Sequence, residues 1–221
     1  MSTDSGAPRL RRAPDPTGPF VLGVVGRAGS GKSTVAAALA ADGARVIEAD
    51  RIGHLVTDHD PEVRAALVSE YGPGVYRDDG ALDRAQVAAL VFRDRAARDR
   101  LDRLTHPRIR RRIIEEIRRL ADDGFRGVVV VDAALMLEWG LERECHAVLA
   151  VVAPEETQIA RLTHARGWNG EEARRRLAVQ RPNEGFAAAA DVTLENLGTP
   201  DELARAARAA VAALRGDGRA R

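Results

Sequence analysis

A run of six apolar residues at 20–25 (FVLGVV) leads directly into Gly26-Arg27-Ala28-Gly29-Ser30-Gly31-Lys32-Ser33. A strand that is apolar at every position has to be buried on both faces, as in the middle of a parallel sheet. The eight residues after it have the Gly-x4-Gly-Lys-Ser spacing of a phosphate-binding loop. Alanine-rich residues 33–42 then continue as a helix that Gly43 stops. In a strand–loop–helix of this kind, glycines let backbone N–H groups turn inward around an anion, and the helix N-terminus adds a favourable dipole. The segment is therefore expected to hold the phosphates of a nucleoside triphosphate along Ala28, Gly29, Ser30, Gly31, Lys32, Ser33 and Thr34. Lys32 would neutralise charge on the transferred group, and the Ser33 hydroxyl would reach Mg2+.

Lys32 has a second distinction. It is the one lysine among 34 basic residues, the rest being arginine. Surface cations exchange between the two types at little cost. A phosphate loop needs a compact ammonium on a flexible stem, which a planar guanidinium does not replace. Composition otherwise sets bounds. With 221 residues, 45% of them hydrophobic and 30% charged, the chain is expected to form one globular domain with a helical insertion. The net charge of +1, with acids and bases interleaved, argues against nucleic acid as a partner. Cys145 is the only cysteine, so no internal disulfide forms, and a reducing compartment, the cytoplasm, is expected. No apolar run approaches the length needed to span a bilayer, so no membrane partner is expected either. Residues 1–19, rich in proline and arginine, read as a disordered tail preceding a domain at 20–221.

Strands are expected at 44–47, 128–131 (ending on Asp132), 147–152 and 191–195, with helices at 155–166, 171–180 and 200–214 between and after them. Strands alternating with helices imply right-handed crossovers. The expected fold is α/β: a three-layer arrangement with a five-stranded parallel sheet. A charged helical stretch follows the second strand, broken by turn clusters at 71–74 and 78–80. Thr105-His106-Pro107 looks like a helix start, with proline just inside it.

Parallel strands end on one rim, where ligands bind in open sheets. That rim is expected to gather the loop, Glu48 and Asp50 after strand two, and Asp132 after strand three. Two roles stand open for Asp50: a base that deprotonates an acceptor hydroxyl, or a cap for a helix over 51–57. Asp132 reads as a carboxylate acting on magnesium, or again as a cap. Arginines crowd between 161 and 181. Arg161 and Arg166 are the two expected to clamp phosphates as part of a lid, and the others are expected to form a solvated face laced with Glu171 and Glu172. His54 and His59 lack metal-ligand spacing.

Taken in order, the segments GSGKST (29–34), VIEAD (46–50), YGP (71–73), DGALDR (79–84), THPRIR (105–110), VVVDAALMLEWGL (129–141), RLTHAR (161–166), RRLAVQ (175–180) and ADVTLENLG (190–198) resemble the dephospho-CoA kinase family. The resemblance runs from about 21 to 198. It implies the P-loop NTPase fold with a helical acceptor-binding insertion at about 53–122 and a helical lid at about 157–185. It also implies transfer of the ATP γ-phosphoryl group to the ribose 3′-hydroxyl of dephospho-CoA. Asp50 becomes the family's base, with Lys32 and Arg161 the other catalytic groups. Acceptor contacts fall on Asp50, His54, His106, Arg110 and Leu135, and the adenine is held at Asn196 and Gly198. Such an enzyme serves small molecules as a monomer or weak homo-oligomer. Arg27 departs from the pattern, standing where a glycine is usual, and its side chain is expected to point to solvent.

From the residues alone, two other kinds of protein also fit: a small-molecule P-loop kinase with another acceptor, and a nucleotide-binding switch with weak catalysis. A GTPase is disfavoured. The guanine-binding N/T-K-x-D motif is missing, and Asp132 is not followed by the D-x-x-G spacing that senses a γ-phosphate.

Overall fold

The structure, a computed structural model, describes residues 10–217; Phe92, Arg93, Arg166 and Asp217 are described by their backbone alone. Five strands form one all-parallel sheet. They are β1 (Phe20–Val25), β2 (Arg45–Glu48), β3 (Val128–Asp132), β4 (Ala147–Val152) and β5 (Val192–Glu195), in the spatial order β2-β3-β1-β4-β5. The central position of β1 follows from its sequence, since all six of its residues are buried. The edge strand β5 alternates covered with exposed positions, and β2 is exposed at both of its ends.

One face of the sheet is covered by α1 (Lys32–Ala41) and α9 (Pro200–Asp217). Phe20, Leu22 and Val24 of β1 meet Val35 and Leu39 of α1 and Leu203, Val211 and Leu214 of α9. On the other face, Gly23 makes room for the fully buried Met136. A Cβ at Gly23 would lie 2.5 Å from Met136 Sδ and 3.1 Å from Cys145 Sγ. Cys145 is itself inert, its thiol pushed up to about 12, mainly by burial. A smaller apolar cluster joins α6 (Glu155–Arg166) to α7 (Gly170–Ala178) through Ile159, Leu162, Ala173 and Leu177. The short α8 (Asn183–Ala189) follows, and Asn183 Nδ2 donates to Ala153 O at 2.7 Å.

The chain divides into two compact units, one of residues up to Ile47 and from Ile117 on, the other Glu48–Glu116. The second contains α2 (Ala49–His59), α3 (Pro61–Tyr71), α4 (Arg84–Arg93) and most of α5 (Arg95–Asp122). Its polar hub is Asp58, which accepts from Leu82 N at 2.9 Å and from Arg84 at 2.9 Å. Burial raises the Asp58 pKa, but these two donors outweigh it and hold the carboxyl below its usual range. Arg64 lies over the Tyr76 ring, 4.0 Å from its centroid, and donates to Asp58 O and Gly80 O.

Two local expectations are revised. Thr105-His106-Pro107 lies inside the 28-residue helix α5 rather than at a helix start. Proline removes one backbone donor from a helix interior. The carbonyl that loses its donor is that of Arg103, and the helix continues through it; nearby, the Thr105 hydroxyl donates to Leu101 O at 2.9 Å and Arg108 to Leu104 O at 2.9 Å. The segment 1–19 was expected to be disordered. Its first nine residues lie outside the described ones, but 10–19 is held. Arg11 N donates to His146 O at 2.9 Å, its guanidinium pairs with Asp191 at 2.6 Å, and Leu10 packs on the core. The charged, proline-rich composition hid these anchors.

His146 itself is buried. Its Nδ1 accepts from Val21 N at 2.8 Å, and its ring stacks on Phe20. Burial, then the nearby charge of Arg12, holds its pKa below the ordinary histidine value, against the opposing pull of Asp15. The unfolded chain therefore takes up the proton first as pH falls through about 6.5. The stability from neutral His146 is complete above that pH and declines below it. Thermal midpoints measured from pH 8 to pH 5 are expected to fall less steeply for His146→Asn, which keeps an acceptor but does not titrate, than for the native chain. Gly23→Ala is expected to cost about 1–3 kcal/mol in urea unfolding, because its methyl overpacks against Met136.

Candidate functional site

The loop between β1 and α1 is shaped by its glycines and by the side chains around it. Gly31, at φ 111°, is the N-cap of α1, and a Cβ there would fall 2.4 Å from Asn196 Nδ2. Only glycine combines that left-handed φ with so close a neighbour. Asn196 is 5% exposed; its Nδ2 donates to Ser30 O at 2.7 Å, and its Oδ1 accepts from Arg161 at 3.3 Å. Arg161, on α6, also donates to Gly29 O at 3.2 Å. A strand end, a helix and the loop thus share one hydrogen-bonded network. The carbonyls of Gly29 and Ser30 point back into it, and among the amides of 29–34 Ser30 N donates to Arg27 O and Thr34 N to Gly31 O within the loop.

Lys32 Nζ donates to Gly26 O at 2.9 Å and to Arg27 O at 3.3 Å. A charged phosphate is a stronger acceptor than either of these carbonyls. No acidic residue occupies the first turn of α1, so nothing there opposes an anion. Ser33, the next residue, is exposed. Asp132 ends β3 in register with Val24, two residues before Gly26. Turns rather than a helix follow it, so the cap reading of Asp132 has no helix to serve. Ser33 and Asp132 both present hard oxygen atoms, the donor type magnesium takes. Leu135 is exposed in the turn after β3, and Gly198 lies in the loop that leads to α9.

The structure corrects one expectation outright. Arg27 does not point to solvent. It is 7% exposed, donating to Glu155 Oε2 at 2.8 Å and to Leu177 O at 2.8 Å. The next residue, Ala28, donates its N–H to Gln180 Oε1 at 2.9 Å and packs on the α6–α7 cluster. Sequence reasoning missed Glu155, Gln158 and Gln180 at this loop. A non-glycine in a glycine slot was the available signal, but nothing local says which way an arginine turns. Of the other arginines, Arg175 and Arg176 pair with Glu172 at 2.6 and 2.8 Å, and Arg174 with Glu156, the solvated pattern expected. The Arg166 side chain lies outside the described residues.

The second unit carries the remaining candidates as two i,i+4 pairs: Asp50 and His54 on α2, His106 and Arg110 on α5. The two helices approach between these pairs, where a methyl on Gly53 would lie 3.4 Å from Ile109 Cδ1. Asp50 is exposed in the first turn of α2. The N-cap of that helix is Glu48, and no side chain makes a capping bond. The cap alternative for Asp50 is therefore removed. His106 Nε2 lies 3.3 Å from Asp102 Oδ1; burial lowers its pKa, outweighing the carboxylate's opposite pull.

Comparison with known proteins follows the same lines. The family described as dephospho-CoA kinase matches residues 20–202. A dephospho-CoA kinase of Anaeromyxobacter dehalogenans is 42% identical over 89% of this chain and 92% of its own length. One from Thermobifida fusca is 39% identical over 82% of this chain and 90% of its own. Among solved structures, a Thermus thermophilus protein superposes with a TM-score of 0.74 at 34% identity, covering 88% of this chain and 97% of the other. The dephospho-CoA kinase from Campylobacter jejuni, at 23% identity and a TM-score of 0.69 over 89% of this chain and 98% of its own, shares the fold. With the phosphate loop, its lysine and the parallel sheet in place, the match over most of the chain leaves one assignment: the chain belongs to the dephospho-CoA kinase family.

Proposed function

We propose that this chain transfers the γ-phosphoryl group of ATP to the ribose 3′-hydroxyl of dephospho-CoA, releasing ADP and coenzyme A. The observation that carries the reading is the loop from Gly26 to Ser33. Its lysine donates to two loop carbonyls, and the loop is held by Arg161 and Asn196. The reaction forms a bond between the acceptor 3′-oxygen and Pγ and breaks the bond from Pγ to the β,γ-bridging oxygen. The hydroxyl proton goes to a base.

Lys32 moves from Gly26 O and Arg27 O onto the β- and γ-phosphates, and the backbone N–H groups of the loop surround the β-phosphate. Arg161, beside the loop carbonyls, is the lid cation that meets the charge spread over the transferred group. Ser33 and Asp132 would hold magnesium, which when bound neutralises phosphate charge. Asp50, exposed and free of any capping role, accepts the hydroxyl proton. His54, His106 and Arg110 are the acceptor contacts of the second unit, and Leu135 is that of the first. Both ends of the Asn196 amide already serve the loop and Arg161, so the adenine is held through the stretch from Asn196 to Gly198 rather than by that side chain. Residues of about 157–185 act as the lid, and those of about 53–122 as the acceptor-binding insertion. Among the described residues no helix is long and apolar enough to cross a membrane. The enzyme works in the cytoplasm on small molecules, as a monomer or weak homo-oligomer.

ADP release in the presence of Mg-ATP is expected to depend on dephospho-CoA; turnover only with another acceptor, or binding without turnover, would overturn the assignment. Asp50→Asn is expected to lose roughly 10²–10⁴-fold in kcat with ATP binding retained, the size of a general-base contribution. Near-normal turnover in that variant would place the base elsewhere.

A further inference from the structure

Arg27 occupies a position in the loop that the general Gly-x4-Gly-Lys-Ser pattern leaves unspecified, yet it is among the few buried charged residues of the described chain. Its guanidinium bonds Glu155 in the first turn of α6 and the carbonyl of Leu177 in α7, each at 2.8 Å. Its Nε is buried without a hydrogen-bond partner. A residue selected only for stability would not bury a charge and leave one donor unmade, since such donors carry a desolvation cost. The Glu155 carboxylate is 52% exposed, so the ion pair by itself contributes little. What the arrangement does provide is position.

The backbone of the same residue is an anchor for the loop. Arg27 O accepts from Ser30 N at 3.2 Å and from Lys32 Nζ at 3.3 Å. Ala28, one residue on, is tied to Gln180. Three glycines in the loop, Gly26, Gly29 and Gly31, have positive φ. A segment so rich in glycine loses much conformational freedom when it is ordered. If that freedom is removed before ligand arrives, affinity rises, because binding no longer has to order the loop.

We propose that Arg27 is a positioning residue for the nucleotide. By bracing the outer edge of the phosphate loop against α6 and α7, it holds the loop backbone, and the carbonyls on which Lys32 waits, in the phosphate-receiving arrangement before ATP binds. The proposal rests on the loop being a nucleotide site, but not on which acceptor is used. Arg27 touches no phosphate itself; it acts through the loop.

The test uses the full chain carrying Arg27→Gly and, separately, Arg27→Lys. It measures Kd for Mg-ATP by calorimetry without acceptor, kcat and KM with dephospho-CoA, and the thermal midpoint. For Arg27→Gly, Kd and KM for ATP are expected to rise about tenfold, the scale of ordering one residue's backbone, while kcat stays within about twofold. Arg27→Lys, which reaches one of the two acceptors, is expected to fall between. A lowered midpoint with unchanged Kd would overturn the proposal, as a purely structural brace does that. So would a loss in kcat with Kd unchanged. If Arg27→Gly does not fold, Arg27→Lys decides, and a native Kd in that variant overturns the proposal. If the native chain binds Mg-ATP but does not turn over dephospho-CoA, the acceptor assignment fails while the Kd comparison still decides the role of Arg27.

Discussion

β1 is hydrogen-bonded on both sides, to β3 and to β4, and buried along its whole length. A strand held in that way cannot shift its register without moving the sheet, because a one-residue slip turns every side chain to the other face. Its carboxyl end is therefore a fixed point. Gly26 leaves from that point, and α1 starts six residues later with Leu39 and Val35 locked under the sheet. The phosphate loop spans two rigid supports, so its few flexible residues close over a set distance. Asp132, in register with Val24, is placed by the same pairing.

Around this frame, polar contacts rather than apolar packing set the loop's conformation. Asn196 comes from the end of β5, Arg161 from α6 and Gln180 from the end of α7. Each bonds a backbone group of the loop: Ser30 O, Gly29 O and Ala28 N respectively. The loop's backbone groups are thus divided: Gly29 O, Ser30 O and the Ala28 amide are satisfied by side chains from behind, while Ser30 N and Thr34 N turn back onto Arg27 O and Gly31 O. Such a division allows an anion site to exist without collapsing on itself.

The frame was legible in the chain because its signals are local. Phe20–Val25 is apolar at every position, and Gly-x4-Gly-Lys-Ser follows without a gap, so strand, loop and helix could each be read from neighbours in sequence. The short edge strand β2 was displaced by one residue, at Arg45–Glu48, since a half-exposed strand has weaker patterning. Pro107 was misread because proline inside a helix and proline at its start look alike in sequence, and only the run of helix on both sides of it tells them apart. Arg27 is the clearest failure. Its partners Glu155 and Leu177 are distant in sequence, and an arginine gives no periodicity to say whether its head lies in water or under a helix. Asp50 falls between: its place after β2 was legible, and the cap alternative fell away only once Glu48 was found at the N-cap.

Lys32 has a consequence for the chain as a whole. All its other side-chain cations are guanidiniums, which keep their charge to far above neutral pH. The surface charge of this protein is thus almost indifferent to mild alkali. The one side-chain ammonium in the molecule, the only one that can lose its proton or be modified as an amine, sits in the loop that receives phosphate. Chemistry directed at lysine, which in most proteins is spread over a surface, would here be confined to a single place.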